Sequence, residues 1–324
     1  MNHSSSNNTF LLSICIPTYN RAKLLEQCLN NISKSIIGYE EFIEVIISDN
    51  NSSDNTQAVI NSFKNRIKNI FSYSNPTNLG FNGNLVKIIN EYISGQYCWI
   101  IGDDDLLLPC SIKVLFNQLI DTKIDFINFN CDTINIDEIH VLNKKDELEP
   151  IAENYYYGRF EDNIFLLTNY ENILFTFISA SIIRNDILKN INLNKIDGDM
   201  WSNVETLFPL AFNYAKLLKG KNCLYIDFPF VTALVHAKDW NWGLPLLHLK
   251  YLPELYEHYL EEGFSKSQLY NSKRIIFSCA INSLFKRNNG LLNGVKLKFV
   301  FLRKYSTDLD LYFVLLIKIK KIFK

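Results

Sequence analysis

The sequence lacks several features that would assign a protein to a class at once. Its seven cysteines form no C-x-x-C pair, and it has no run of about 18 apolar residues, the length that a membrane-spanning helix needs. Its formal net charge is −1, so no overall positive charge favours nucleic acid as a partner. Residues 1–10 show no cationic segment leading into an apolar stretch. These absences predict a cytoplasmic globular protein that binds no nucleic acid.

Glycine-rich phosphate-binding motifs are also absent. Neither G-x-G-x-x-G nor G-x-x-x-x-G-K-[ST] occurs, and the stretch GFNGNL fits neither of them. This disfavours a dinucleotide-dependent dehydrogenase and a P-loop enzyme. No Ser-His-Asp or Cys-His set shows a recognisable local signature either.

The first half of the chain alternates between two patterns. Four short stretches have strand-like patterns, at residues 11–17, 42–49, 69–74 and 97–101. The first is a β-branched run ended by proline, which is typical of a buried strand. Stretches with apolar residues at helical spacing separate these four, which predicts an α/β fold with a mostly parallel sheet and helices on both faces. From about residue 124 the pattern is mixed, and FTFISASII (175–183) resembles a further strand. Residues 245–324 have helical patterns only.

Polar clusters follow three of the predicted strands, at residues 18–21, 49–54 and 103–105. In open α/β sheets, ligands bind in the crevice beyond the carboxyl ends of the strands. The three clusters therefore predict a single pocket at this edge of the sheet.

The third cluster consists of three adjacent carboxylates, Asp103, Asp104 and Asp105, between apolar segments. Like charges in such surroundings need a positive partner. Carboxylates in a D-x-D pattern suit a divalent cation such as Mg²⁺ or Mn²⁺, which takes phosphates as further ligands. The alternative is a solvated loop or a cap on the helix that begins near Pro109. The position after a buried strand favours the metal site.

Four stretches, taken in order, resemble the successive blocks of family 2 glycosyltransferases with the GT-A fold: SICIPTYNR, VIISDNNSSDNT, NPTNLGFNGN and WIIGDDDLLLP. The resemblance covers residues 10–120 and is closest to the abequosyltransferase-like branch, whose members add sugars to surface polysaccharide precursors. It implies a GT-A domain at 9–244, with a nucleotide-sugar-binding half (9–120) and an acceptor-binding half (121–244). A C-terminal helical, basic and apolar region (245–324) would follow.

The resemblance also implies an activity and a set of residues. The activity is the inverting, metal-dependent transfer of a hexosyl or deoxyhexosyl group from a nucleotide sugar to a growing surface glycan, such as O-antigen or capsule, on a lipid-linked acceptor. The implied nucleotide-sugar-binding residues are Pro17, Thr18, Tyr19, Arg21, Asp49, Asn51, Asn78, Gly80, Asn84, Asp103 and Asp104. Of these, Asp49 would contact the base and Asp103 the ribose. The implied metal ligands are Asp104, Asp105 and His236. Many relatives carry an acid where Gly102 stands here.

Several of these residues also have purely structural explanations. Asn78 and Asn84 fit a turn and an N-cap, and Arg21 fits a solvated charge in the first turn of a helix. His236 fits a structural histidine. Trp240 and Trp242 have polar neighbours, and their aromatic faces could stack on the sugar rings of an acceptor.

Inverting transfer needs a carboxylate that takes the proton from the acceptor hydroxyl. The resemblance implies an acid at a helix start well after the metal motif, often the Asp of a Glu-Asp pair. Glu205 precedes a helical pattern, although Thr206 stands where the Asp is expected. We predict Glu205 as the base, with Asp199 as its rival and Asp197 third. The alternative for Glu205 is a first-turn acid favoured by the helix dipole.

The C-terminal stretch 293–324 combines lysine and arginine with bulky apolar residues. Such a segment can lie in the bilayer interface with its cations on anionic headgroups. It predicts peripheral attachment to the inner face of the cell membrane, and a packed helix with an exposed basic face is the alternative.

For the whole chain, the competing functions are a nucleotidyltransferase and a catalytically silent GT-A-like binding module. A nucleotidyltransferase would normally show a glycine- and lysine-rich phosphate loop.

Overall fold

The computed structural model describes residues 10–120, 123–135, 149–162, 172–191, 201–235, 244–285, 292–312 and 314–315. The strands are β1 (Leu12–Thr18), β2 (Ile43–Asp49), β3 (Ile70–Ser74), β4 (Tyr97–Ile100), β5 (Asp105–Leu107), β6 (Phe126–Asn135), β7 (Tyr155–Arg159), β8 (Ser181–Arg184) and β9 (Asn222–Val235). The four strands predicted in the first half are confirmed to within one residue at each end.

The α-helices are α1 (Ala22–Ser35), α2 (Thr56–Phe63), α3 (Gly80–Lys87), α4 (Ser111–Leu119), α5 (Asn185–Leu188), α6 (Val204–Leu207), α7 (Pro209–Leu217), α8 (Leu244–Leu246), α9 (Leu252–Glu261), α10 (Tyr270–Phe285) and α11 (Leu292–Tyr305). A π-helical turn at Ile88–Tyr92 extends α3, and another at Leu247–Tyr251 joins α8 to α9. Helices therefore make up the described C-terminal region, as its sequence pattern predicts.

The sheet has the strand order β3-β2-β1-β4-β8-β6-β9-β5, and β7 also pairs with β9. The pairs among β1, β2, β3 and β4 are all parallel, as is the pair of β6 and β9. By contrast, β8 runs antiparallel to both of its neighbours, and β5 and β7 run antiparallel to β9. The sheet is thus parallel in its first half and mixed in its second.

Helices cover both faces of the sheet, so its strands β1, β2 and β4 are buried almost throughout. On β1, Ile14 and Ile16 belong to one core cluster, while Cys15 between them belongs to the other. Helices α1, α2 and α4 pack on the first face, and α3, α7, α9 and α10 on the second. Helix α1 buries Leu25, Cys28, Leu29 and Ile32, the stripe that its spacing predicts.

Candidate active site

The carboxyl ends of β1, β2 and β4 bring the three polar clusters together. Thr18 lies opposite Asp49 in the pairing of β1 with β2, and its carbonyl accepts a hydrogen bond from the N–H of Asn50 at 2.9 Å. On its other side, the Thr18 hydroxyl donates to Oδ2 of Asp103 at 2.7 Å. Thr18 therefore links the ends of all three strands, at the edge where the sequence predicts the pocket.

Three turns at this edge depend on left-handed backbone. Asn20, Asn51 and Gly80 have φ values of 52°, 68° and 70°, a region open to glycine and tolerated by asparagine. The turns containing Asn20 and Asn51 also bind each other, because the N–H of Asn20 donates to Oγ of Ser52 at 2.8 Å and Oδ1 of Asn20 accepts from the N–H of Ser53 at 2.7 Å. Asn20 and Asn51 thus shape two interlocked turns.

Asp49 is buried at the end of β2, and both of its oxygens are engaged. Oδ1 accepts from the N–H of Ser52 at 3.1 Å, and Oδ2 accepts from Nε2 of Gln57 at 2.6 Å. These contacts hold the carboxylate in one orientation beside Thr18. A carboxylate oxygen can accept more than one hydrogen bond, so Asp49 retains the capacity to bind a donor on a ligand.

A buried asparagine network supports the same edge. Nδ2 of Asn50 donates to Oδ1 of Asn78 at 2.7 Å, and Oδ1 of Asn50 accepts from Nδ2 of Asn75 at 3.0 Å. Nδ2 of Asn75 also donates to Oδ1 of Asn84 at 2.9 Å, and that oxygen accepts from the Ser48 hydroxyl at 2.6 Å. The amides of Asn78 and Asn84 therefore have partners within the protein, in keeping with the structural alternative for these two residues.

Arg21 supplies the positive charge that the acidic triplet requires. Its Nη1 lies 2.8 Å from Oδ1 of Asp103 and 2.9 Å from Oδ2 of Asp104. Burial raises the pKa of Asp103, and the Arg21 guanidinium opposes that rise. The ion pairs join the turn after β1 to the turn after β4, so Arg21 is more than a solvated first-turn charge.

Asp105 has different surroundings from its two neighbours. Its Oδ2 accepts hydrogen bonds from the N–H of Gly102 at 3.1 Å and from the Ser179 hydroxyl. Burial raises its pKa to about 7 against these stabilising contacts. A Cβ at position 102 would lie 2.8 Å from that oxygen and 3.0 Å from Oδ1 of Asp104, so a side chain here would crowd both carboxylates. Asp105 thus helps to hold the acidic turn.

A cavity of about 400 Å³ opens beside the acids. Its charged lining consists of Arg21, Asp103, Asp104 and Asp105. The remaining lining is mostly apolar and includes Phe81, Phe175, Phe177, Leu207, Phe208 and Leu234. Such a cavity presents charged groups to one part of a ligand and apolar surface to the other.

Part of the apolar side comes from a segment whose sequence pattern is misleading. The prediction of a strand over FTFISASII is wrong for its first half, where 3₁₀ turns occupy Ile173–Phe175 and Ile178–Ala180 and β8 begins only at Ser181. Leu174 and Phe175 have φ values of 49° and 62°. Strain of this kind persists where packing enforces it, and both side chains are buried. The sequence contains no signal for the contact of Ser179 with Asp105.

The predicted base Glu205 lies in α6, near the cavity but outside its lining. Asn203 caps this helix, because its Oδ1 accepts from the N–H of Thr206 at 2.8 Å. The carbonyl of Thr206 in turn accepts from Nδ2 of the buried Asn82 in α3 at 2.9 Å. Leu207, two residues after Glu205, lines the cavity. The other predicted residues Asp197, Asp199, His236, Trp240 and Trp242 lie outside the described residues.

The acidic turn fits a divalent cation that is shared with a phosphate ligand. Asp104 borders the cavity, and Arg21 binds only its Oδ2, so Oδ1 accepts no hydrogen bond from the residues that the structure describes. Mg²⁺ commonly takes one or two carboxylates and completes its shell with phosphates and water. Within the described ranges no group of three or more His, Cys, Asp or Glu side chains could hold a metal by itself.

Comparison with known sequences identifies the family. The profile of glycosyl transferase family 2 matches residues 13–191, which is more than half of the chain. The chain belongs to this family. Abequosyltransferase RfbV of Salmonella typhimurium is 32% identical over 234 residues, which cover 68% of this chain and 66% of RfbV. The match thus spans slightly less than two thirds of that relative. A Campylobacter jejuni glucosyltransferase, GalNAc(5)-diNAcBac-PP-undecaprenol beta-1,3-glucosyltransferase, is 32% identical over 110 residues, 33% of this chain and 34% of its own length.

Solved structures confirm the GT-A fold. The crystal structure of residues 1–349 of S. aureus TarS in complex with UDP-GlcNAc superposes with a TM-score of 0.59 at 17% identity, covering 91% of this chain and 80% of that TarS fragment. The mannosyltransferase PcManGT from Pyrobaculum calidifontis, in complex with GDP-Man and Mn²⁺, superposes with a TM-score of 0.52 at 11% identity, covering 96% and 85%. The fold that the four sequence blocks imply is therefore the observed one.

Proposed function

We propose that this protein is an inverting, metal-dependent glycosyltransferase that moves a sugar from a nucleotide-sugar donor to a surface-glycan precursor. The observation that carries the proposal is the pairing of Asp103 and Asp104 with Arg21 in a cavity whose remaining lining is mostly apolar. In a family 2 fold, the charged lining suits a diphosphate and its cation, and the apolar lining suits the transferred sugar and the acceptor. Membership of the family and the named activities of its relatives support the same conclusion.

The nucleotide sugar would lie across the ends of β1, β2 and β4. In this proposal the base and ribose contact the turns that contain Tyr19, Asp49 and Asn51, with Asp103 near the ribose. Pro17 and Arg21 line the cavity next to the acids and would adjoin the diphosphate. The division into a donor half (9–120), an acceptor half (121–244) and a C-terminal region (245–324) belongs to the same proposal.

A divalent cation would be held chiefly by Asp104. When bound there, such a cation neutralises negative charge on the leaving diphosphate. We assign Asp105 a smaller part than the sequence alone suggests, because its Oδ2 already binds Gly102 and Ser179. His236 remains a predicted third ligand from the resemblance.

The proton of the acceptor hydroxyl would pass to Glu205. This carboxylate starts a short helix whose position is set by the Asn203 cap and by the contact of Asn82 with Thr206. Asp199 remains the rival base. The tryptophans Trp240 and Trp242 remain candidates for acceptor stacking.

The acceptor is proposed to be lipid-linked, as the name of the Campylobacter relative indicates for that protein. The outward face of α11 suits such an acceptor, because Phe299, Val300 and Leu302 are 66%, 53% and 44% exposed. Phe301 and Tyr305 on the same helix are buried instead. Thus α11 packs through one apolar face and presents a second one outward.

A cation accompanies this outward apolar face, since Arg303, which follows Leu302 in the helix, is exposed as well. Bulky apolar side chains beside cations suit an anionic lipid surface. The structure contains, among its described helices, none long and apolar enough to cross a membrane. We expect the full chain to float with phosphatidylglycerol liposomes more than with phosphatidylcholine liposomes. A variant with Phe299→Ser and Leu302→Ser should float less, and equal flotation of the two proteins would contradict membrane contact.

A screen of nucleotide sugars for protection against thermal unfolding tests the donor assignment. We expect one donor to raise the midpoint of unfolding in the presence of Mn²⁺, and the effect to disappear with chelator. Slow hydrolysis of that donor should release a nucleoside diphosphate. Release of pyrophosphate from a nucleoside triphosphate would instead indicate a nucleotidyltransferase, and binding without hydrolysis or transfer would indicate a silent module.

A further inference from the structure

Arg21 connects two of the three acids that line the cavity through a single atom. Its Nη1 donates to Oδ1 of Asp103 at 2.8 Å and to Oδ2 of Asp104 at 2.9 Å. A guanidinium nitrogen of this type carries two hydrogens, so both bonds can form at once. One positive charge is therefore shared between two carboxylates and offsets only part of their negative charge.

The two acids depend on Arg21 to different degrees. The Asp103 side chain is 5% exposed and also accepts a hydrogen bond from the Thr18 hydroxyl. The Asp104 side chain is 24% exposed, and within the described part of the chain Arg21 is its hydrogen-bond partner. Removing the guanidinium would leave Asp103 held by Thr18 and would release Asp104.

Arg21 is also able to leave Asp104. Its side chain is 40% exposed, and the residue stands just before the first turn of α1. A divalent cation at Asp104 would lie beside the guanidinium, and two positive charges repel strongly next to a partly buried acid. A diphosphate removes this conflict, because its oxygens bind the cation and also accept hydrogen bonds from an arginine.

We propose that Arg21 is a positioning residue that occupies Asp104 until a diphosphate arrives, and so makes cation binding depend on the nucleotide. This inference rests on the proposed function, in which Asp104 holds the cation. By thermodynamic linkage, the nucleotide and the cation raise each other's affinity by the same factor. Arg21 enlarges that factor by weakening cation binding in the absence of nucleotide.

The test is a titration of the full chain with Mn²⁺, in which free Mn²⁺ is followed by its electron paramagnetic resonance signal. The titration is made without nucleotide and with UDP, GDP, CDP or dTDP. R21Q removes the charge, R21K retains it, and R66Q removes an exposed arginine elsewhere on the surface. R21M repeats the test if R21Q does not fold.

Without nucleotide, we expect R21Q to bind Mn²⁺ about tenfold more tightly than the wild type, and the enhancement by nucleotide to shrink by about the same factor. R21K and R66Q should resemble the wild type, because the charge beside Asp104 is kept. Equal or weaker binding of Mn²⁺ by R21Q, with loss of binding in D104N, would overturn the role of Arg21 alone. Undiminished binding in D104N would overturn both this role and the proposed metal site.

Discussion

The two sides of the cavity are built in different ways. The donor side, named for the proposed function of its charged residues, is formed by polar residues at the ends of parallel strands, and these residues bind one another through Thr18, Arg21 and Asn50. The apolar side is formed by residues from 3₁₀ turns and from the junction of α6 and α7, such as Phe177 and Phe208.

This difference affects how strongly each side constrains the sequence. A buried polar group needs a specific partner, so a change in one member of the donor-side network leaves another unsatisfied. An apolar lining tolerates exchange among side chains of similar volume. We therefore expect catalysis and nucleotide binding to depend on single residues of the first side, and sugar and acceptor choice to depend on the combined shape of the second.

The largest effect on activity is expected at Asp104, on the donor side. Asp104→Asn should lower the rate of sugar transfer by about 10³-fold or more, because a bound cation supplies several kcal/mol of charge stabilisation. The midpoint of thermal unfolding should stay near that of the wild type, since Asp104 is partly exposed. Phe177→Leu, in the apolar lining, serves as the control and should lower the rate of sugar transfer far less. Full turnover of the wild type in excess chelator would contradict the proposed divalent cation at Asp104.

The same difference explains how much of the molecule its sequence could reveal. Buried parallel strands produce continuous apolar runs, so β1, β2 and β4 were predictable, together with the polar clusters that follow them. The segment from Leu174 to Ser179 was not, because its apolar residues fill 3₁₀ turns with left-handed backbone and composition does not signal such turns. The sequence does not decide between Glu205 and Asp199 as the general base, because Thr206 stands where the Asp of the expected Glu-Asp pair would be.

A smaller but still large effect is expected at Glu205, which lies in α6 two residues before the cavity-lining Leu207. Glu205→Gln should lower the transfer rate by about 10²-fold, the usual contribution of a general base. Affinity for the donor should change little, because the residue lies outside the donor-side network. Rates and donor affinities measured for this variant and for Asp199→Asn would decide between the two acids. Normal turnover by Glu205→Gln together with an inactive Asp199→Asn would assign the base to Asp199.

A third effect is expected at Asp105, and it concerns the stability of the fold rather than activity. Its pKa is raised to about 7 by burial, whereas an unfolded aspartate has a pKa of about 3.9. Between these values the folded chain binds more protons than the unfolded chain, so stability falls as pH rises. We expect the metal-free wild type to lose about 2 kcal/mol of unfolding free energy from pH 5 to 7.5. Asp105→Asn should flatten this dependence in denaturant titrations, and an identical slope in both proteins would contradict the assignment.

The smallest expected effect concerns Asp49, which is buried at the end of β2. Asp49→Asn keeps an oxygen for the N–H of Ser52 but loses the second acceptor oxygen. In the wild type that oxygen accepts from Gln57, and it is proposed to face the nucleotide base. An unmatched polar contact should weaken binding of the nucleoside diphosphate by about 1–2 kcal/mol, which is close to tenfold. Gln57→Ala, which leaves the carboxylate intact, is the matched control and should lose less. Calorimetry measures the affinity of both variants for the nucleoside diphosphate. An unchanged affinity for Asp49→Asn would mean that the nucleotide base binds elsewhere along the strand ends. Asp49 would then serve only to orient the turn that contains Ser52.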